Sequence, residues 1–260
     1  MKTPKLRQAS VVKPLYRLNQ FPQSFHKSVA QQIFVIKATS LFSDKEIDIT
    51  GSLWEQIFAS SIGAKRESSI ALGIDDIQDQ KTSTAWSAKT VKWSNKSNIV
   101  EKIRDQTAKI QLISGRNSPA YSYNFSIDGT NTPPAYVGEL ILEIWNERIK
   151  SVRTKFSNLR TVIMVKCPNL NRIVIFEKET ELYQSADFRW EWNSRKNLNG
   201  FAGNKKIFTW QPHGSQFTLN DIAIPQNASV IDIGSSKKLS KDDILTLAEW
   251  SDKKFKVQSF

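Results

Sequence analysis

The sequence predicts a mixed α/β fold (α+β), in which a mixed central β-sheet is flanked by helices and followed by a β-rich region. Apolar residues recur at helical spacing in residues 52–62, where four of them fall on one face. Residues 84–92 instead alternate with the period of a strand. The run 160–167 is apolar enough to be a central strand. Because helical and strand patterns alternate along the chain, we expect a sheet with helices on both faces.

The other elements follow from the same periodicities and from turn residues. Residues 29–37 fit either a strand or a short helix. The helix 52–62 begins with a capping box, Ser52 to Glu55, and stops at Gly63. Further helices are predicted at residues 97–113, 137–149 and 240–251, and further strands at residues 69–77, 172–177, 188–192, 207–210 and 217–219.

Composition bounds the class of protein. The chain has 260 residues, 39% of them hydrophobic, which excludes a wholly disordered chain and is enough for a core. Cys167 is the single cysteine, so an internal disulfide framework is excluded, and with two histidines a structural zinc site is nearly excluded too. No apolar run reaches the roughly 18 residues that a membrane span needs. The net charge of +12 points to a polyanionic partner, although a solvated basic surface is the ordinary alternative.

The beginning of the chain is especially basic. No acidic residue precedes Asp44, whereas seven Lys or Arg residues do. A transit peptide has a similar composition, but Pro4, Pro14 and Pro22 weaken the amphipathic helix that such a peptide needs. We therefore expect an ordered or semi-ordered basic arm in a cytoplasmic protein.

Two predicted strands, joined by a polar turn at residues 78–83, carry the chemically distinctive residues. The first ends in Asp75 and Asp76, and on the second Ser87 and Lys89 share one face. Carboxylates beside a lysine can hold a divalent metal ion against a phosphate, while the lysine orients the attacking water. The ordinary alternatives are a polar turn for the aspartates and a solvated strand face for Lys89.

These residues resemble the PD-(D/E)XK nuclease superfamily, and within it the type II restriction endonucleases. Ile74-Asp75 stands in the place of the Pro-Asp of that family, and Ser87-Ala88-Lys89 stands in the place of its acid-x-Lys motif. The resemblance covers about residues 50–115, with looser similarity at residues 114–118, 144–146 and 208–216. It implies a restriction-endonuclease-like core that uses Mg²⁺ to hydrolyse phosphodiester bonds in double-stranded DNA at specific sequences.

Ser87 departs from the family pattern, because an acid is expected at its position. The resemblance implies that a glutamate from elsewhere takes over, and Glu101, twelve residues after Lys89, is one candidate. Glu55 is another candidate. A surface helix position for Glu101 and a capping role for Glu55 are the alternatives. The implied metal ligands are Asp75, the main-chain carbonyl of Ala88 and Glu101.

Asp75 and Asp76 are alternatives for the catalytic carboxylate. If Leu72 and Ile74 face the core, alternation turns Asp75 toward the face that Ser87 and Lys89 share. A bulge would reverse this choice in favour of Asp76.

Residues 188–217 are typical of a DNA-facing surface, since tryptophans alternate there with basic residues. Arg can pair with guanine, and Asn or Gln with adenine. The predicted DNA contacts are Arg116, Asn117, Arg195, Lys196, Gln211, His213 and Gln216. The alternatives are that the tryptophans belong to the core, that the charges meet only phosphates, and that His213 is a turn residue.

The sequence thus predicts a basic arm (1–45), a catalytic α/β core (46–180) and DNA-recognition hairpins with a closing helix (181–260), which can form one compact domain. A homodimer would suit a palindromic site. A cognate DNA methyltransferase is the other partner that the resemblance implies. Two rivals stay open: a non-catalytic DNA- or RNA-binding protein with the same basic surface, and a structural or organelle-targeted protein whose arm is a processing signal.

Overall fold

The computed structural model describes residues 13–39, 48–67, 74, 76–92, 107–113, 132–166, 170–212 and 216–233. The helices within these residues are α1 (Gln23–Thr39), α2 (Gly51–Ile62), α3 (Pro134–Arg153) and a short 3₁₀ helix (Ser185–Asp187). The strands are β1 (Lys65–Arg66), β2 (Ile77–Asp79), β3 (Thr84–Lys92), β4 (Thr107–Ile113), β5 (Asn158–Lys166), β6 (Arg172–Glu179), β7 (Arg189–Trp192), β8 (Leu198–Ala202), β9 (Lys205–Gln211), β10 (Gln216–Ala223) and β11 (Ser229–Asp232). None of the helices in these ranges combines the length and the apolarity needed to cross a membrane.

Six strands form the central sheet, in the order β1-β2-β3-β5-β6-β11. β3 and β5 run parallel, and the other neighbours run antiparallel. A parallel pair needs a crossover connection, and the chain between β3 and β5 includes helix α3. The prediction of a mixed α/β fold with a mixed sheet is confirmed at this level.

Five strands form a second, antiparallel sheet, here called the hairpin sheet, in the order β4-β10-β9-β8-β7. Strands β7 to β10 follow one another along the chain, and β4 joins them by pairing with β10. The predicted β-rich region therefore exists, but it recruits one strand from the part of the chain that precedes α3.

Both faces of the central sheet are buried. Trp86 and Ile175 face a core that includes Phe25 of α1 and Phe58 of α2. The opposite face contributes residues such as Ile163 to a second core, which is shared with α3 and the hairpin sheet and is called the α3-side core. Strands buried on both sides have long apolar runs, which is why β5 could be recognised in the sequence.

Trp190 holds α3 against the hairpin sheet. Its indole ring lies directly against Gly138 of α3 and Gly200 of β8, and a Cβ atom at either glycine would overlap the ring. Both positions therefore need a glycine for the close approach of helix and sheet.

The basic N-terminal part of the chain enters the core. Residues 29–37, predicted as a strand or a short helix, belong to helix α1, whose Phe25, Val29 and Ile33 are fully buried. These side chains recur every four residues, so one face of α1 packs on the sheet.

Helix α2 begins one residue earlier than predicted. The side chain of Thr50 caps it by accepting a hydrogen bond from the Leu53 N–H at 3.3 Å, so the predicted capping box from Ser52 to Glu55 is wrong. The predicted stop is confirmed, since Gly63 adopts a positive φ of 71° that favours glycine.

The predicted helix 97–113 is wrong over residues 107–113, which form strand β4. Ile110 and Leu112 are buried while Lys109 is exposed, a period of two that the widely spaced isoleucines concealed. Pairing with β10, about a hundred residues later in the sequence, decides the conformation, and local periodicity does not report such a contact.

The strand 84–92 is confirmed with its predicted bounds, and the strands predicted at 160–167 and 172–177 are confirmed as β5 and β6. Of the predicted strand 69–77, the structure describes only residues 74, 76 and 77, and β2 begins at Ile77. β8 and β11 were not predicted. The predicted closing helix 240–251 lies outside the described residues.

Candidate functional site

The carboxylate of Asp76 is anchored on strand β3. Its Oδ2 atom accepts a hydrogen bond from the Ala88 N–H at 2.9 Å and one from the Ser87 hydroxyl at 3.2 Å. The pairing of β2 with β3 ends where Ile77 lies opposite Trp86, so the Asp76 side chain takes up a backbone donor just beyond that ladder. Both bonds end on Oδ2, and the other oxygen is the one that would face a ligand.

Lys89 lies on the same face of β3 as Ser87. Ala85 and Val91 on this strand contact the α3-side core, and Ser87 and Lys89 fall between them with the period of two. Lys89 is two residues beyond Ser87, or about 6.6 Å along the strand. The lysine and Asp76 are both half-buried, whereas Ser87 is fully buried. Asp76, Ser87 and Lys89 thus share one face.

The main chain of Ala88 points to the same side as Asp76. In a strand the N–H and C=O groups of a residue point in the same direction, and the Ala88 N–H donates to Asp76. The Ala88 carbonyl therefore also points away from the β3–β5 ladder. This orientation is what the predicted metal ligand at Ala88 requires.

Glu55 is tied to another residue. Its Oε2 atom accepts hydrogen bonds from the guanidinium of Arg66, at 3.0 Å from Nε and 2.9 Å from Nη2. Arg66 also donates to the Ser52 hydroxyl at 2.8 Å. This ion pair links α2 to β1, so the predicted catalytic role of Glu55 would require the carboxylate to serve two partners.

Asp75 and Glu101 lie outside the described residues. Within the described ranges, no group of three His, Cys, Asp or Glu residues lies close enough to hold a metal ion. The choice of Asp75 from strand alternation assumes that one face of its strand is buried. Ile74 and Ile77 are both buried, each in a different core, so that assumption does not distinguish the two aspartates.

Four predicted DNA contacts gather at one end of the hairpin sheet. Arg195 and Lys196 occupy the turn between β7 and β8, and Gln211 lies opposite Gln216 where β9 leads into β10. The register places both turns at the same end, since Leu198 lies opposite Trp192 on one side and Trp210 on the other. All four residues are exposed. The other three predicted contacts, Arg116, Asn117 and His213, lie outside the described residues.

The tryptophans of the hairpin sheet point the other way. Trp190 and Trp210 are buried in the α3-side core, and the half-buried Trp192 packs against that core and donates its N–H to the Thr132 carbonyl at 3.3 Å. The alternation of tryptophan with basic residues is therefore real, but it separates a buried face from a charged face. The core alternative is correct for these side chains.

A second carboxylate, Glu177 of β6, is not predicted from the sequence. It lies on the opposite face of the central sheet and accepts hydrogen bonds from the Tyr16 hydroxyl at 2.8 Å and the Trp86 indole N–H at 2.7 Å. Arg160 donates to it at 3.2 Å. Burial raises the pKa of this carboxyl group, against the opposing effect of Arg160 and the hydrogen-bond donors. Its partners come from three distant segments, so no local pattern could reveal it.

No protein-family model, no curated protein and no solved structure matches this chain.

Proposed function

We propose that this protein is a Mg²⁺-dependent nuclease that cleaves double-stranded DNA at specific sequences, of the type II restriction endonuclease kind. The observation that carries the proposal is the placement of the Asp76 carboxylate against Ser87 and Ala88, on the face of β3 that also holds Lys89. A cytoplasmic location, a homodimer and a cognate methyltransferase belong to the same proposal.

The donor set fits a hard cation. A carboxylate oxygen of Asp76 and the Ala88 carbonyl are oxygen ligands of the kind that Mg²⁺ prefers, and Asp75 and Glu101 are further candidates. Bound Mg²⁺ would supply Lewis-acid stabilisation of the phosphate. Lys89 would orient the attacking water and offset charge on the phosphate oxygens. The Ser87 hydroxyl donates a hydrogen bond to Asp76, which helps to fix the rotamer of the carboxylate.

A non-catalytic nucleic-acid-binding protein is the second candidate. One observation favours it: the described end of the hairpin sheet is basic and exposed. Such a protein would bind DNA equally well in a chelator and would cut nothing.

The test is cleavage of unmodified plasmid or phage DNA by the purified protein in Mg²⁺, compared with EDTA and with Lys89→Ala. Lys92→Ala is the matched control, because Lys92 is on the same strand three residues later and pairs with Asp48 at 3.6 Å. We expect discrete fragments from the wild type and from Lys92→Ala, and none in EDTA or from Lys89→Ala. Uncut DNA with salt-sensitive binding intact would favour the second candidate.

A further inference from the structure

The hairpin sheet has two chemically different faces. Strand alternation sends Trp190, Phe208, Trp210 and Phe217 to the α3-side core. The residues between them on the strands point outward, and Gln211, for example, is exposed. We call the second set the outer face of the hairpin sheet; its described members are Lys109, Arg189, Glu191, Asn199, Phe201, Lys206, Thr209, Gln211, Gln216, Thr218 and Asn220.

The outer face and its turns are strongly basic. The segments 107–113, 189–212 and 216–223 contain six Lys or Arg residues and two acidic residues. One of the acids, Glu191, forms an ion pair with Arg189. Cations lie at both ends of the strands. Lys206 is near the start of β9, and Arg195 is in the turn beside the other end of β9, where Gln211 lies about 17 Å farther along the strand. This spacing suits phosphates that lie apart from one another on an extended partner.

The middle of the outer face is polar but little exposed, since Asn199 and Asn220 are 8% and 7% exposed, so the accessible groups lie at its two ends. The Thr209 hydroxyl donates to Asn199 at 3.2 Å and accepts from the Asn220 amide at 3.1 Å, which forms a chain of side chains across β8, β9 and β10. The centre of an interface between two proteins is normally apolar. Nucleic-acid interfaces are instead polar and positively charged.

The basic end of the outer face is held rigidly. The Asn193 side chain accepts hydrogen bonds from the main-chain N–H groups of Arg195 and Asn197, at 2.9 and 3.0 Å. Lys196 has a positive φ of 57°, so the turn adopts a conformation that the asparagine bonds must stabilise. Beside it, Gln211 and Gln216 form an exposed cross-strand pair of amides, the group that reads adenine edges in a groove.

Aromatic side chains decide between duplex and single strand. Single-stranded nucleic acid binds to sheets through exposed rings on which bases stack. The tryptophans of this sheet face the core, and the outward ring of Phe201 is covered by the Arg189 guanidinium, 5.0 Å from its centre. The outer face therefore offers charges and amides with no described open ring, which favours the backbone and grooves of a duplex.

From these observations we propose that the outer face of the hairpin sheet binds duplex DNA, with Arg195, Lys196 and Lys206 on phosphates and the Gln211–Gln216 pair toward the base edges. The inference rests on the proposed function in one respect, the choice of DNA as the polyanion. It places the binding on one face of the sheet and adds Lys206 to the predicted DNA contacts.

The test compares two double variants that remove the same charge. Arg195→Ala with Lys206→Ala alters the outer face, whereas Lys27→Ala with Lys65→Ala alters α1 and the opposite edge of the central sheet, where both lysines are exposed. Binding of a fluorescent 30-base-pair duplex is measured by anisotropy in EDTA, at several salt concentrations, after thermal melts have shown that both variants are folded.

We expect the outer-face variant to bind more weakly, and its plot of log K against log salt to become shallower by about 2, since each lost phosphate contact contributes about 0.9. The Lys27/Lys65 variant should keep the slope of the wild type. Equal weakening of both variants, an unchanged outer-face variant, a wild type that does not bind duplex, or tighter binding of single-stranded DNA or RNA would each overturn the inference.

The same experiment separates this inference from the proposed function. A wild type that binds through the outer face but never cuts in Mg²⁺ leaves the surface standing and removes the nuclease. A wild type that cuts while the outer-face variant binds normally does the reverse.

Discussion

Two carboxylates reach strand β3 from its two faces, and their surroundings differ sharply. Glu177 is 2% exposed, and its oxygens accept from Tyr16, Trp86 and Arg160. Asp76 is half-buried and receives two hydrogen bonds on a single oxygen, both from β3. One carboxylate has its hydrogen-bonding capacity filled by the protein, and the other has an oxygen, Oδ1, with no hydrogen-bond partner among the described residues.

Under the proposed function, the difference separates a stabilising charge from a functional one. Glu177 ties the segment at Tyr16 and Asn19 to the sheet, since Asn19 also exchanges main-chain and side-chain hydrogen bonds with it. A buried charge with this many donors fixes the position of a segment, whereas a half-buried carboxylate on the same sheet face as a lysine suits a site that binds metal and phosphate. Substitutions at the two carboxylates should therefore affect different properties.

The largest effect is expected from Glu177→Ala. The substitution leaves the Arg160 guanidinium, whose side chain is 3% exposed, without its buried partner, and breaking such a pair costs about 3–5 kcal/mol of folding free energy. Urea denaturation at pH 7 measures the loss. Glu179→Ala is the matched control: Glu179 is on the same strand, 3.9 Å from the same arginine, but 57% exposed, and we expect a change below about 1 kcal/mol.

A companion variant tests whether the charge itself is the cause. Replacing both partners, Arg160→Leu with Glu177→Leu, should recover much of the lost stability, because no unpaired charge then stays buried. If the double variant is as unstable as Glu177→Ala, the hydrogen bonds from Tyr16 and Asn19 matter more than the ion pair.

Asp76→Asn should show the opposite profile. The amide keeps the shape of the carboxylate and can still accept from the Ala88 N–H, so we expect a stability loss of only about 1 kcal/mol. Removing the charge from the proposed metal site should lower the cleavage rate by about 100-fold or more. Single-turnover cleavage and urea denaturation on the same preparation separate the two quantities. An active Asp76→Asn would move the site to Asp75.

Local patterns predicted the parts of the fold whose contacts are local or uniform. β3 alternates and β5 is continuously apolar, and both were identified from the sequence. β4 was assigned to a helix because its conformation depends on β10, far along the chain. The same reason explains the missed Glu177, which looks like an ordinary acid near the end of a strand and gains its role from Tyr16, 161 residues away.

The candidate site was predictable in composition but not in geometry. The spacing indicated Asp75, Asp76, Ser87 and Lys89, with Asp75 favoured over Asp76, and the register of β2 and β3 places Asp76 on the face of Ser87 and Lys89. Alternation also sorted the residues of the hairpin sheet into two faces, yet it could not tell which of the two faces was buried. That choice depends on α3, whose Gly138 allows Trp190 to pack beneath it.

Trp86→Phe sharpens the comparison by removing one donor from Glu177 without removing a charge. The indole N–H at 2.7 Å is lost from a fully buried site, and we expect a cost of about 1–2 kcal/mol from the weakened hydrogen bonding of the carboxylate. Loss of indole volume adds a packing term, so Trp54→Phe, a fully buried tryptophan whose N–H has no partner among the described residues, is the control for volume alone. Equal losses in the two variants would mean that the bond to Glu177 contributes little.

A third carboxylate, Asp48, gives the smallest effect and tests exposure directly. Burial opposes its ionisation, but Lys166 at 2.5 Å and Lys92 at 3.6 Å outweigh this and hold the pKa of Asp48 below its ordinary value. A lowered pKa in the folded state gives stability that is present above the ordinary carboxyl pKa of about 3.9 and is lost as the pH falls through the folded value.

Since the Asp48 side chain is 42% exposed, we expect Asp48→Asn to cost only about 1 kcal/mol at pH 7. The difference from wild type, measured by urea denaturation, should shrink toward zero near pH 2. Glu67→Gln, whose partner Lys65 is 76% exposed, is the control, and we expect it to change stability at pH 7 by well under about 1 kcal/mol. A difference for Asp48→Asn that persists unchanged into acid would show that its hydrogen bond to Lys166, and not its charge, is what stabilises the fold.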